Sequence, residues 1–211
     1  MNYGNTFGSG TKEYSASSMP VWLEVKERKI GGGTADISGM ADGSFYKAGT
    51  PIYLAKMGDT AVVLDAFEVD GAVTSTDTAL KLKVGVLGTV PKKDMVLGKL
   101  SSAGASTVAK AAALPAPDTG KTLEFTITAN AFGELSDGDL LYLAVEAGTT
   151  KDLVLPSGLS WHDTNPKRSG DTVCSFAVVT KGQILVDRIP SLITAYKNSL
   201  ADTGITFEKE L

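Results

Sequence analysis

Few residues in this chain could do chemistry by type and spacing. Cys174 is the only thiol and His162 the only imidazole. With Asp163 beside the histidine, the three could form a nucleophile, a base and an orienting acid across a loop. The surroundings of Cys174 argue otherwise, because it lies in the apolar run VCSFAVV, where a small buried cysteine is the usual reading. A single histidine also excludes a two-histidine zinc motif within one chain. The stretch DTGKT, Asp118 to Thr122, ends like a phosphate-binding loop. However, Pro115 stands where the first glycine should be, and the residues that follow alternate as a strand instead of opening a helix. Lys121 then reads as a solvated lysine at a turn. The acidic turn SDGD, with Asp137 and Asp139, lacks the further spaced carboxylates of a calcium loop and is more simply a hairpin turn. No G-x-S-x-G elbow occurs. The expectation is a protein that is not an enzyme, with no catalytic residue, no metal and no cofactor. One alternative stays open: Trp161, in the polar run SWHDTNPKRSG, could join Trp22 and the tyrosines in an exposed sugar-stacking surface, as a carbohydrate-binding module requires.

The elements that would position these residues read as short strands. From Val21 the pattern alternates, with Val21, Leu23 and Val25 on one face and Glu24, Lys26 and Arg28 on the other, as a half-buried strand requires. Further strands are predicted at 44–46, 52–56, 61–69 and 80–86, separated by Gly, Asp, Thr and Pro. TLEFTITA, from Thr122, alternates most clearly, with Leu123, Phe125 and Ile127 on one side. Strands at 140–145, 152–155, 173–180 and 183–186 follow. The period then changes: Leu192, Ile193, Tyr196 and Leu200 share a helical face, Pro190 suits a first turn and Gly204 a stop, with Ile205 and Phe207 free to dock as a last short strand.

This spacing predicts a mainly β fold, a sandwich or barrel-like domain with one C-terminal amphipathic helix near 190–203. The organisation read from composition is a flexible N-terminal arm at 1–20, a first β-half at 21–99, an Ala/Ser/Pro-rich insert at 100–120 and a second β-half at 121–211. The arm is rich in Gly, Ser, Thr and Asn and buries too little apolar surface to order by itself. The insert reads as a short helix at 107–113 or an extended excursion. Two phrases, GTPIYLA from Gly49 and GDLLYLA from Gly138, are nearly alike. Internal duplication and convergent turn chemistry are both open as explanations.

The totals narrow the class further. With 211 residues the chain can bury a core, and with one cysteine it forms no intrachain disulfide. The start lacks a basic head and an apolar run, which argues against a signal peptide. No stretch of about 20 apolar residues predicts a membrane helix. A formal charge of −4 with few basic clusters argues against nucleic acid as a partner.

The order of phrases resembles that of capsid decoration and head-fibre proteins of tailed bacteriophages. The resemblance lies in FYKAGTPIYLA, then ALKLKVGVLGTV, then VVTKGQILVDRIPSLITAYKNSLADTGITF, and spans roughly Phe45 to Phe207 with gaps. It implies a structural virion protein made in the host cytoplasm and fixed to the outer capsid surface, with the major capsid protein as partner and a trimer as the favoured oligomer. On this view residues 2–19 contact the capsid, while the Ala-rich segment or the terminal helix serves the subunit interface.

Overall fold

The computed structural model describes residues 21–29, 32–55, 60–100, 105–108, 110–111, 122–148 and 152–209. The predicted N-terminal arm and the DTGK residues Asp118 to Lys121 lie outside this set. The described chain is mainly β, with one α-helix near its C-terminal end, and is sandwich-like as the strand spacing predicts. In chain order the strands are β1 (Trp22–Arg28), β2 (Gly33–Asp36), β3 (Pro51–Leu54), β4 (Ala61–Val63), β5 (Ala66–Glu68), β6 (Ala79–Lys83), β7 (Val96–Lys99) and β8 (Ala105–Thr107). They continue as β9 (Lys110–Ala111), β10 (Thr122–Thr126), β11 (Leu140–Leu143), β12 (Gly158–Ser160), β13 (Val173–Phe176), β14 (Val178–Leu185) and β15 (Ile205–Glu208). The helix, α1, is Thr194–Thr203.

Two sheets form the larger core. The sheet β6-β10-β9 packs on the sheet β5-β11-β7-β8, and the facing side chains Leu80, Leu82, Leu123 and Phe125 meet Phe67, Leu97 and Leu141. All seven are 2% exposed or less, so alternation on β6 and β10 was a sound guide to the inner face. The remaining strands build a six-stranded sheet in the order β1-β14-β12-β3-β4, with β15 also on β14. One edge of β14 carries β1. The other is shared by β12 at Val178 and Val179 and by β15, in parallel, from Gly182 to Leu185. The hairpin-like pair β2–β13 covers one side of this sheet through Ala35, Ile37, Tyr46, Ile52 and Phe176. Helix α1 packs elsewhere on it through Leu200, with Leu159, Ile184, Leu192 and Ile205. Every sheet joins strands from both sides of residue 100, so the two sequence halves are interleaved.

Several boundaries differ from the expectation, each for a local reason. On β1 the predicted inward face fails at Leu23, which is 52% exposed, because register shifts against β14 at Trp22/Glu24 and again after Val25 break the alternation. Residues 44–46 form no strand. Tyr46 is instead buried by an exchange of bonds with Thr164, whose amide donates to the Tyr46 carbonyl and whose hydroxyl accepts the Tyr46 amide. The run 61–69 breaks at Leu64 and Asp65 into β4 and β5. The helix predicted at 107–113 is overturned where it is described, since Thr107 closes β8 and Lys110–Ala111 forms β9; the rest lies outside the described residues. Residues 152–155 make only a single bridge, Ala144 to Leu153.

Near the C-terminus the break falls at Ala177, not at Lys181–Gly182, and β14 runs straight through that glycine. A Cβ there would strike the Glu24 carbonyl of β1, so the glycine serves close strand approach and not a turn. The helix begins at Thr194, four residues after Pro190, because a 3-10 turn at Val186–Arg188 precedes the proline and residues 189–193 stay extended or bent. Leu192 and Ile193 therefore lie just before it, and Tyr196 and Leu200 carry its buried face. Gly204 does end it, in the left-handed conformation at φ 110°, and Ile205 to Glu208 docks as a strand, as the sequence predicts. Among the described residues no helix is long and apolar enough to cross a membrane.

Candidate functional site

The sequence places an aspartate inside an apolar run, AVVLDAFEV, and the fold buries it. Asp65 is 1% exposed. Its carboxylate accepts the amides of Ala66 at 2.8 Å, Leu87 at 2.9 and 3.1 Å and Thr89 at 3.0 Å. The Thr89 hydroxyl bonds the same carboxylate. An ionised carboxylate only accepts, so Thr89 donates to Asp65, and the Tyr46 hydroxyl in turn donates to Thr89 Oγ1 at 3.1 Å. The loop Gly85–Thr89 thus wraps one acid. Gly85 must be glycine here because a Cβ would collide with the carboxylate. Burial pushes the Asp65 carboxyl above its usual range, and the amide bonds oppose that shift without cancelling it. The phrase KVGVLGTV is therefore a loop built around Asp65.

That loop forms one side of a cleft of about 640 Å³. The floor is the second face of the four-stranded sheet, with Ala66, Leu140 and Tyr142. One wall is Ile189, Pro190, Ser191 and Ile193 leading into Tyr196 of α1, and the other is Phe45 to Pro51 with Val86 and Leu87. Register explains the floor: Leu140 stands opposite Glu68, and Tyr142 opposite both Ala66 and Gly98, so these residues share the face turned away from Phe67 and Leu141. Leu100, one residue past Lys99, which pairs with Leu141, continues the same row. The outer face of an antiparallel sheet is normally polar. Here Leu100 and Leu140 on the sheet are 53% and 37% exposed and Val86 and Phe45 on the adjoining loops 73% and 40%, beside a cleft whose lining also carries Lys47, Asp65, Asp187 and Arg188.

Tyr196 lies at the base of this cleft. It is 3% exposed, its ring meets that of Tyr142 edge to face at 6.4 Å, and the charge of Asp65 reaches its hydroxyl. That hydroxyl has no hydrogen-bond partner among the described residues. A buried unpaired hydroxyl costs about 1–3 kcal/mol.

No family model matches the chain, and no curated protein or solved structure is detectably similar to it. What it does must therefore be argued from its own residues.

The residues singled out from sequence are not brought together. Cys174 on β13 packs against the Ala35 and Phe176 core, and burial raises its thiol to about 11. His162 is exposed in a different groove, lined by Lys26, Arg28 and Ser175, and its Nδ1 lies 2.9 Å from the Asp163 carbonyl. Because neighbouring residues of a strand point to opposite faces, Ser175 faces the histidine while Cys174 turns away. Asp163 is engaged by the Ala48 amide at 2.7 Å. Asp137 and Asp139 also part: the first accepts the Gly71 amide, while the second accepts Lys99 at 2.7 Å and the Ser136 amide. Among the described residues no group of three His, Cys, Asp or Glu is placed to hold a metal ion. Trp161 is 37% exposed, but the Arg28 guanidinium lies 4.1 Å from its ring centre, so one face is already covered. Trp22 donates its indole N–H to the Ser160 carbonyl and packs beside α1.

Sequence reasoning missed Asp65 and Tyr196. A signal for the first was present, an acid between Leu64 and Ala66 in a run of buried type. For Tyr196 the helical period gave burial but nothing showed that its hydroxyl would lack a partner.

Proposed function

We propose that this chain is a structural protein of a phage virion, decorating the outer capsid surface as a trimer and binding coat subunits by adhesion. The observation that carries the reading is the exposed pair Leu100 and Leu140 on a sheet face that would ordinarily be polar, with Val86 and Phe45 exposed on the loops at the cleft beside it. A pair of this kind on a rigid sheet offers contact area at little ordering cost, which suits attachment to a preformed lattice. The likeness of FYKAGTPIYLA, ALKLKVGVLGTV and the terminal segment to decoration and head-fibre proteins supports the partner named, the major capsid protein.

Mass spectrometry of purified virions tests it, with the protein expected in many copies per particle. The paired variant Leu100→Asp/Leu140→Asp, exposed at both positions, should fold yet lower occupancy at least tenfold. Absence of the protein from particles would end the proposal, and full occupancy by the paired variant would remove the two leucines from it.

A further inference from the structure

We infer that the groove at the end of the six-stranded sheet binds an acidic segment of a partner protein, with Arg28 and Lys29 as the groups that take its carboxylates. The groove measures about 740 Å³ and lies where the chain enters β14. Its sides come from opposite edges of that strand. Arg28, the last residue of β1, pairs with Val179, and the same Val179 pairs with Leu159 of β12 on the other edge. Beyond these pairs the Lys29 amide donates to the Val178 carbonyl and the Trp161 amide to the Ala177 carbonyl, both at 2.8 Å. A tight turn then folds the chain back: the Gly32 amide donates to the Lys29 carbonyl, and Gly32 takes φ 58°, where a Cβ would strike the Phe176 carbonyl. Arg28, Lys29, Ser175 and His162 are thereby brought to one groove.

Charge sets this place apart. Lys83, Lys92, Lys99 and Lys167 each pair with a carboxylate. In the groove Lys26 pairs with Glu24 and Glu27 with Lys181, but Arg28 and Lys29 form no ion pair among the described residues. Arg28 lies instead over the Trp161 ring, 4.1 Å from its centre. Stacking uses the face of the guanidinium, leaves its N–H fork for a carboxylate held by two parallel bonds, and fixes the side chain before any ligand arrives. The same contact selects the ligand. Trp161 is not part of the groove lining, so no indole face is offered there to a sugar. Two unmatched cations on a chain of charge −4 are too few for a nucleic-acid backbone. A peptide supplies carboxylates for Arg28 and Lys29 and backbone groups for the Ser175 hydroxyl and the imidazole. A carbonyl only accepts, so in the neutral ring of His162 Nδ1 donates to the Asp163 carbonyl and Nε2 is left to accept a peptide amide. The inference goes beyond the adhesion reading and shares no residue with the Leu100 and Leu140 row.

The test is isothermal titration of the full chain with an octapeptide of alternating glutamate and serine. Its controls are the same peptide with glutamine for glutamate, and an oligogalacturonate of equal charge. At about 50 mM salt the glutamate peptide should bind about tenfold tighter than either control, and it should lose about tenfold by about 300 mM as the charges are screened. Arg28→Ala should weaken binding about tenfold, whereas Lys93→Ala, at an exposed lysine outside the groove, should leave it unchanged. Arg28→Lys keeps the charge and loses the fork, while Trp161→Leu keeps the guanidinium and loses its brace; each should weaken binding about threefold. Amide shifts during the titration should centre on Lys29, Gly32, Ser175 and Ala177. Equal binding of the glutamate and glutamine peptides overturns the inference, as does a loss in Arg28→Ala no greater than in Lys93→Ala. Parent-like binding by both Arg28→Lys and Trp161→Leu also overturns it, by reducing the groove to diffuse charge. Tighter binding of the oligogalacturonate overturns it in favour of an acidic sugar. Virion occupancy enters none of these readings, so failure here leaves the adhesion reading standing, and failure there leaves the groove.

Discussion

Replacing Asp65 by alanine should be the most damaging single change to a polar residue in the described core. Three backbone amides, of Ala66, Leu87 and Thr89, lose their acceptor, and the Thr89 hydroxyl loses the group that orders it toward Tyr46. At about 1–3 kcal/mol for each buried donor left alone, the gross loss is about 3–9 kcal/mol. Two effects reduce it. The buried acid carries a desolvation cost that the variant no longer bears, and the adjoining cleft lets water reach part of the loop. A net loss of about 3 kcal/mol follows, or about 6–12 °C in Tm for a domain of this size. Asp65→Asn keeps one acceptor oxygen and should cost about half as much. The pH dependence adds a sign. Burial raises the folded carboxyl above the unfolded value of 3.8, so the folded state holds this proton more tightly. The stability margin of the parent over Asp65→Asn should therefore shrink as pH rises from 3.8 through the folded value. Thermal unfolding by circular dichroism across pH reads both effects. A Tm within 2 °C of the parent for Asp65→Ala would refute the claim that this carboxylate holds the Gly85–Thr89 loop.

Three further outcomes follow from the same geometry. Gly182→Ala drives a Cβ into the Glu24 carbonyl and should cost about 1–3 kcal/mol by urea unfolding, with β1 amides exchanging faster than those of β10; unchanged stability would mean β1 is not held there. With its thiol at about 11 instead of 9.0, Cys174 should react with a disulfide reagent at pH 8 about 100-fold more slowly than the same residue in unfolded chain, a gap that equal rates would disprove. Lys99 beside Asp139 holds that carboxyl below its usual value of 3.8, so the pair's contribution is present above 3.8 and lost as pH falls through the lowered value. Lys99→Ala should return the Asp139 titration toward 3.8 by NMR, although the Ser136 amide keeps part of the shift.

What was legible in the sequence was whatever depends on period. Leu123, Phe125 and Ile127 fell on the inner face because strict alternation on a central strand leaves no other solution. Gly204 and Ile205 were legible because a left-handed stop and a following apolar pair are local signals. The failures share a cause: they depend on a partner distant in sequence. Leu23 turned outward because β14 forces a bulge on β1, and β14 ran through Lys181–Gly182 because that glycine makes room for the Glu24 carbonyl. The Cys174 and His162 pairing was equally undecidable from spacing, since one strand's alternation, seen only once β13 was paired with β2, sent them to opposite faces.

The twin phrases show how far local chemistry alone reaches. Gly49 and Gly138 have φ of 80° and 82°, so both need glycine for the same turn into a strand, and the tyrosines that follow, Tyr53 and Tyr142, both meet the larger core. Beyond that the likeness ends. A Cβ on Gly49 would strike Ile189, whereas one on Gly138 would meet nothing within 4 Å. β3 lies in the six-stranded sheet between β12 and β4, while β11 lies in the four-stranded sheet between β5 and β7. Downstream, KVGVLGTV closes a loop on Asp65, and SFAVVTKG continues into the longest strand among the described residues. The same seven-residue solution thus starts two strands with different neighbours. Its second copy sets Leu140 and Tyr142 on the face where the cleft forms, so the turn at Gly138 fixes the register of that face. A one-residue slip there would turn Leu140 inward and Leu141 outward, exchanging the core row for the row on the cleft side.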